Sequence, residues 1–501
     1  MIGAWWTLAL AAAAPSAEKA PEPPHAELQK LDDGTRIDLK LDGPVLGLAV
    51  ARREGDRRWV LVLVGRPEPQ RGPTPCGVES AADAKPRGDA RLFGWNPDHP
   101  ETLSALGRDL PEGAIDTADL DGNGVDEIVL FGETGIAELL VDAEAGTTTV
   151  RELLAGRYSQ VWDEEGRDPA LRAVSIGALA TYRRGEGEAI RPVSDLELPI
   201  VVSRRGEGVH VRTTSFLPVD GIADGRVRFV AGLERIPDLR RVRTLLLDPE
   251  GPAESRVIEA WARFPSRERA LENEVALLDG SPVLIVLTTP ADKLSLFGEK
   301  LLRVFPLAAD RTRSGHPPLL ADETGINLWQ GGTPEVLDLD GDGRDDLVLA
   351  YWKGLKDSIA ALEVRKRLPD GSFAHAKTFD FDVKDGDRGW TFYGRDLDGD
   401  GRPDLALRAE GAFLVYPGSP GSQAIEHPVA KVPSRRIPLA SDAMLSITAQ
   451  SMSFGPQGLS VEYDVDARLP RFLDLDGDGR VEAILAGGSG AAGRVVIVRF
   501  R

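Results

Sequence analysis

The chain has little of what most enzymes and secreted mini-proteins are built on. It holds one cysteine, Cys76, in 501 residues. No intrachain disulfide can form, which excludes a small disulfide-stapled scaffold. Cys76 lies in RGPTPCGVESAADAKPRGD, a Pro/Gly-rich stretch that reads as a surface loop, with no nearby histidine to activate the thiol. The six histidines, His25, His99, His210, His316, His375 and His427, are scattered and fall in no H-E-x-x-H array. No G-x-S-x-G elbow occurs; GGSGAAG at 487–493 misses it because residue 491 is alanine. There is no P-loop and no dinucleotide fingerprint. Basic residues are also in deficit, 60 against 80 acidic ones, for a formal charge of −20. Phosphate binding needs clustered Lys and Arg, so nucleic acid and anionic membrane surfaces are poor partners.

What is present is a globular composition rich in turns. Apolar residues make up 42% and charged residues 28%, with 54 glycines and 36 prolines. The length suggests roughly three domains, although large all-β folds run past ~250 residues as one unit. Ala4 to Ala14 form an apolar run of signal-peptide length, too short to span a bilayer. No other run is long and apolar enough for a transmembrane helix. We therefore expect a signal peptide over 1–17, a Pro-rich linker over 18–26 and one domain over 27–501. The expected location is outside the cytoplasm, whether periplasmic, cell-surface or extracellular.

Comparing the chain with itself is informative. DLDGNGVDE starts at Asp119, DLDGDGRDD at Asp338, DLDGDGRPD at Asp396 and DLDGDGRVE at Asp474. All four fit D-x-D-G-[DN]-G-x-x-[DE], followed by an apolar run. Oxygen-bearing side chains recur at positions 1, 3, 5 and 9, and glycines fill positions 4 and 6, where a tight loop needs positive φ. Calcium takes six to eight oxygens, and such a loop can turn side chains 1, 3 and 5 toward one centre. The ligand set is then Asp119, Asp121, Asn123 and Glu127; Asp338, Asp340, Asp342 and Asp346; Asp396, Asp398, Asp400 and Asp404; and Asp474, Asp476, Asp478 and Glu482. Position 7 would give only its backbone carbonyl, which suits the varied Val125, Arg344, Arg402 and Arg480. Magnesium demands a stricter octahedron, and zinc and copper prefer His or Cys. An EF-hand would need a bidentate Glu at position 12; here position 12 is Leu130, Leu349, Leu407 and Leu485. Short apolar runs flank each loop, so each is expected to join two β-strands.

The pattern resembles the FG-GAP and VCBS-type repeats, the calcium-binding blades of integrin α-subunit propellers and of many exported bacterial proteins. No clear Gly-Ala-Pro half is present, so the VCBS-like variant is the nearer likeness. The resemblance implies a β-propeller of about seven four-stranded blades, with eight as the alternative, carrying about four Ca²⁺ ions. It also implies a loop-rich face that binds ligand.

The spacing of the loops agrees with such blades. The last three start 58 and 78 residues apart, and the 219 residues between the first two leave room for further blades. Strands are expected at 198–205, 240–248, 281–289 and 301–307, and a hairpin over 45–53 and 57–67. The terminal GRVVIVRFR reads as a strand that helps close a ring. SRERALENEVALL (266–278) reads as a helix, an insertion or blade connection. FDFDVKDGDRGW (379–390) is acidic without the Asp-Gly spacing and reads as a solvated loop.

Arg87-Gly88-Asp89 reads as a chance tripeptide in a chain rich in all three residues. Trp95, Trp329, Trp352 and Trp390 are candidates for stacking on sugars, though Trp in a blade more often packs between sheets. The functional expectation is a non-catalytic, monomeric module for a protein or glycan ligand; the alternative is a polysaccharide lyase or hydrolase on the same scaffold. The four loops hold 17 carboxylates, 15 of them at ligand positions; Asp126 and Asp345 sit at position 8. Four calcium ions would take the formal charge from −20 to −12.

Overall fold

A computed structural model describes residues 23–500 apart from a number of connecting segments, the longest being 66–88, 220–227, 248–256, 291–299, 307–317, 439–450 and 463–470. Over much of 159–274 it describes the backbone course alone. The expected leader, Cys76, Arg87, Gly88, Trp329 and Trp390 fall outside the described residues.

The fold is all-β. Its one helix among the described residues is a single turn, Gln423–Glu426. No helix of the described residues is long and apolar enough to cross a membrane. Seven four-stranded antiparallel meanders follow one another along the chain. We number them sheet 1 (45–110), sheet 2 (114–155), sheet 3 (158–197), sheet 4 (216–263), sheet 5 (268–324), sheet 6 (333–385) and sheet 7 (391–438). Sheet 8 joins the two ends of the chain. Its strands run Arg471–Leu473, Glu482–Gly487, Arg494–Phe500, Gly34–Lys40 and His25–Leu31. The C-terminal strand thus pairs with an N-terminal one, Gly34 opposite Phe500 and Lys40 opposite Arg494, as the sequence led us to expect. A ninth sheet joins two hairpins far apart in sequence, Val201–Arg205 with Gly208–Arg212 and Ser451–Gly455 with Gly458–Glu462.

The sheets stack face to face. Separate apolar cores fill the spaces between sheets 8 and 1, 1 and 2, and 2 and 3. Others lie between sheets 5 and 6, 6 and 7, and 7 and 8. Neighbouring sheets also meet first strand to first strand: Val45–Arg52 on Ala114–Ala118, and Thr333–Leu337 on Thr391–Arg395. Four-stranded sheets that stack face to face and meet on their first strands are blades around an axis, the arrangement of a β-propeller. It explains the sequence of the second strands. A blade is covered on both faces, so DLVLAYWK (Asp346–Lys353) is buried along nearly its whole length rather than alternating.

Two sequence expectations are corrected, and the tryptophans pack between sheets as their setting in a blade suggests. The segment 266–278 is not helical: Glu268–Leu278 is the first strand of sheet 5, paired with Ser281–Pro290 through one register shift between Ala270 and Glu272. Its Glu, Arg, Ala and Leu are good helix formers, but pairing with the β-branched run PVLIVLTT overrides a weak local preference. The acidic segment 379–390 is not simply a solvated loop, because Lys377–Asp385 is the outer strand of sheet 6, with Phe381 and Val383 buried. Trp95 and Trp352 are 0% and 3% exposed, so neither offers a face to a sugar. Both pack in inter-sheet cores, and the Trp95 indole donates to the Pro100 carbonyl at 3.0 Å. The hairpin over 45–67 and the strands near 198–205, 240–248, 281–289 and 301–307 form where the sequence placed them.

Candidate metal centres

Each of the four acidic loops connects the first strand of a sheet to its second: sheet 2 for 119–127, sheet 6 for 338–346, sheet 7 for 396–404 and sheet 8 for 474–482. Position 2 is always leucine and always buried (Leu120, Leu339, Leu397 and Leu475), which pins the loop to the core beneath it. Positions 4 and 6 lie between +76° and +85° in φ, with Gly122 and Gly124 at the two ends of the first pair. A Cβ on Gly124, Gly341 or Gly401 would touch nothing within 4 Å. Glycine is needed there for the backbone angle and not for space.

That curl aims backbone N–H groups inward. The position-1 carboxylate accepts them from positions 4 and 6: Gly122 and Gly124 onto Asp119 at 2.7 and 2.9 Å, and Gly341 and Gly343 onto Asp338 at 2.8 and 2.8 Å. Asp396 and Asp474 are held in the same way. The position-5 oxygen accepts the N–H of position 7, as from Val125 onto Asn123 at 2.7 Å and Arg402 onto Asp400 at 2.9 Å. The position-9 carboxylate reaches back across the loop to the N–H of position 2. Leu120 donates to Glu127 at 2.7 Å, Leu397 to Asp404 at 2.8 Å and Leu475 to Glu482 at 2.8 Å.

The result brings positions 1, 3 and 9 together in every copy. Asp119, Asp121 and Glu127 each offer an oxygen within 4.8 Å of the others. So do Asp338, Asp340 and Asp346, Asp396, Asp398 and Asp404, and Asp474, Asp476 and Glu482. Among Asp342, Asp400 and Asp478, the carboxylates at position 5, none joins its trio; each instead accepts the N–H of position 7. The electrostatics are those of crowded, partly dehydrated carboxylates. Burial raises Asp346 and Asp404 to about 6 and Glu482 to about 7, and raises Glu127 as well.

The donor set fits a hard cation. All three converging groups are oxygens, and position 5 adds a fourth within the same turn. In the 338–346 loop the Asp340 side chain is 4% exposed and its Oδ1 has no hydrogen-bond partner among the described residues. A buried, unsatisfied carboxylate oxygen is costly in water-poor surroundings, and a cation among the three carboxylates would satisfy it.

Residues outside the repeat pattern complete the setting. In two of the loops position 8, which has no ligand role, is an aspartate that docks the loop onto the preceding sheet. Asp126 receives the Arg52 backbone N–H at 2.6 Å and its guanidinium at 2.9 Å, and returns its own N–H to the Arg52 carbonyl at 3.1 Å. Asp345 and Asp279 exchange N–H to carboxylate bonds at 2.6 and 2.9 Å across sheets 6 and 5. Arg52 and Asp279 flank the first hairpin turns of their sheets. First-to-second connections of neighbouring sheets therefore lie side by side, on one face of the ring. The second oxygen at position 9 also has a partner. In the Asp loops it is a backbone N–H beyond the third strand, from Arg367 onto Asp346 or Gly418 onto Asp404, both at 2.7 Å. In the Glu loops it is a guanidinium, Arg184 on Glu127 and Arg499 on Glu482, both at 3.1 Å. Loop composition alone gives no signal for these partners, because they depend on strand register.

Comparison with known proteins agrees with this repeat. Residues 338–407 match the FG-GAP-like repeat family. The match runs from the loop of sheet 6 through its remaining strands and into the second strand of sheet 7. The sequence repeat is thus one strand out of phase with the sheets, as is the N-terminal completion of sheet 8. The chain is a repeat β-propeller. No curated protein sequence matches it. Among solved structures it is similar to an Agrocybe aegerita lectin recognising non-reducing terminal N-acetylglucosamine (15% identity, TM-score 0.38, covering 76% of this chain and 96% of that one). It is similar to the dihydro-heme d1 dehydrogenase NirN (14%, 0.38, 79% and 74%). It is also similar to a putative 6-phosphogluconolactonase from Bacteroides fragilis (12%, 0.33, 77% and 97%). At such scores these likenesses say nothing about function.

Proposed function

We propose that this protein is a calcium-binding, exported β-propeller of the FG-GAP/VCBS type that serves as a non-catalytic module for protein or glycan ligands. Calcium in this reading is structural and about four ions are bound. The observation that carries it is the recurrence of one oxygen trio at positions 1, 3 and 9 in four blades, always on the first-to-second connection. Crowded carboxylates repel each other, and a divalent ion supplies the charge that holds them together. Seven consecutive meanders and one sheet closed by both termini favour eight blades over seven. The four loops all lie on first-to-second strand connections, on one face of the blades.

Thermal unfolding of the full chain with excess calcium and with chelator tests the metal. Calcium raises the melting temperature, because it binds the folded loops and not the unfolded chain. An unchanged transition would overturn the assignment. A glycan array read for both retention and product separates a binding module from a polysaccharide-acting enzyme, since product formation contradicts the non-catalytic reading.

A further inference from the structure

The loops 338–346 and 396–404 form a natural controlled comparison. Both begin DLDGDGR and both carry Asp at position 9. Their trios, backbone bonds and glycine angles agree. Their surroundings differ at position 8, where Asp345 pairs with Asp279 and the other loop has Pro403, and, close to the trio itself, at the end of the third strand. In sheet 6 that strand is Ser358–Arg365, with Arg365 opposite Leu347, and the next residue is Lys366. Its ammonium donates to Asp340 at position 3 and lies 3.0 Å from Asp342 at position 5. In sheet 7 the strand Ala412–Tyr416 is followed by Pro417, which has no charge. Among the described residues no cation from another strand reaches Asp396, Asp398 or Asp404; Asp400 pairs only with the loop's own Arg402.

We propose that Lys366 is a built-in competitor for the cation of the 338–346 loop, so that this loop exchanges an ammonium for a divalent ion whereas the 396–404 loop fills first. The inference rests on the calcium reading above. It also rests on the Asp340 carboxylate: one oxygen is held by Lys366, and the other, Oδ1, is buried without a hydrogen-bond partner among the described residues. The ammonium thus satisfies only part of what the loop offers. For a divalent ion to gather Asp338, Asp340 and Asp346 around itself, the ammonium must give up its place beside Asp340. A unit charge ~4 Å from a divalent ion weakens binding on the order of thirtyfold even at the dielectric of water. Screening at physiological salt leaves about tenfold. Lys366 sits at the end of a flexible stem with about a quarter of its side chain exposed, so it can swing out to solvent. The two loops therefore respond to different calcium concentrations, and the 338–346 loop is the one whose occupancy changes as calcium falls.

Calorimetric titration of calcium into the calcium-free full chain tests this, comparing wild type with Asp338→Asn, Asp396→Asn, Lys366→Gln and Lys366→Met. The site lost in Asp396→Asn binds about tenfold more tightly than the site lost in Asp338→Asn. Lys366→Gln and Lys366→Met, at a partly exposed position, each tighten the weaker site by about tenfold and leave the others unchanged. Equal affinities for the two loops, or a Lys366 variant that leaves the weaker site unaltered or weakens it, would overturn the inference while the calcium reading stands. A chain that takes up no calcium in any form would overturn both.

Discussion

Glu335 offers a test of the packing between sheets 6 and 7 that does not involve the metal. It lies on the first strand, Thr333–Leu337, and faces Gly394 on the first strand of sheet 7, where an added Cβ would sit 3.5 Å from its Oε2. Burial raises its carboxyl from 4.5 to about 7, against the pull of the nearby Arg395 guanidinium. In the unfolded chain the same group ionises near its ordinary value, so between pH ~4.5 and ~7 the folded state binds the extra proton. Stability from this group is therefore fully present below ~4.5 and is lost as pH rises through 7. The shift corresponds to about 3 kcal/mol at 1.36 kcal/mol per unit. Glu335→Gln keeps the shape and removes the charge. At pH 8 it should stabilise the chain by up to about 3 kcal/mol, and at pH 4.5 it should be nearly neutral. For a cooperative ring of this size, that is an upward shift of about 3 °C at pH 8. The assay is differential scanning calorimetry of both proteins in saturating calcium, which keeps the loop carboxylates ionised throughout. A variant destabilised equally at both pH values would refute the reasoning, because it would mean that ionised Glu335 is needed by Arg395 and is not merely buried.

Three further outcomes follow from the same geometry. The Tyr393 hydroxyl is buried with no hydrogen-bond partner among the described residues, so Tyr393→Phe should be neutral or stabilise by about 1 kcal/mol in urea unfolding. Gly341→Ala meets no neighbour within 4 Å, yet forces a Cβ onto φ +78°; it should cost about 1–2 kcal/mol, read as a lower melting temperature in calcium. Asp126→Ala removes the hydrogen bonds that the part-buried Arg52 makes to this carboxylate and leaves it Asp119 at 4.0 Å; it should cost about 2 kcal/mol in urea unfolding, with the calcium stoichiometry unchanged in a parallel titration.

The parts of the fold that were legible in the sequence are those written in local pattern. The loop glycines, the buried leucine between the first two aspartates and the apolar runs on either side mark strand–loop–strand units wherever they occur. GRVVIVRFR announced itself as a strand by its β-branched residues, and it closes sheet 8. What stayed hidden depends on register between distant strands. ERALENEVALL looks helical by propensity and becomes a strand only because PVLIVLTT pairs with it. Trp95 and Trp352 look available for ligands until the neighbouring sheets cover them. Asp126 and Asp345 lie outside the ligand positions, yet they lock their two loops to the sheet before them. Lys366 and Arg499 lie 20 and 17 residues beyond their loops' ninth position, and only the third-strand register brings them to the carboxylates.

The central claim is that one acidic loop, repeated in four blades, holds a calcium ion in each. A crystal structure of the full chain grown with saturating calcium, with anomalous scattering recorded to identify the ions, tests it most directly. The account predicts an ion in each of the four loops, bound ~2.3–2.6 Å from the carboxylates at positions 1, 3 and 9. Loops that keep their present geometry with water or Lys366 in place of an ion, at saturating calcium, would contradict it.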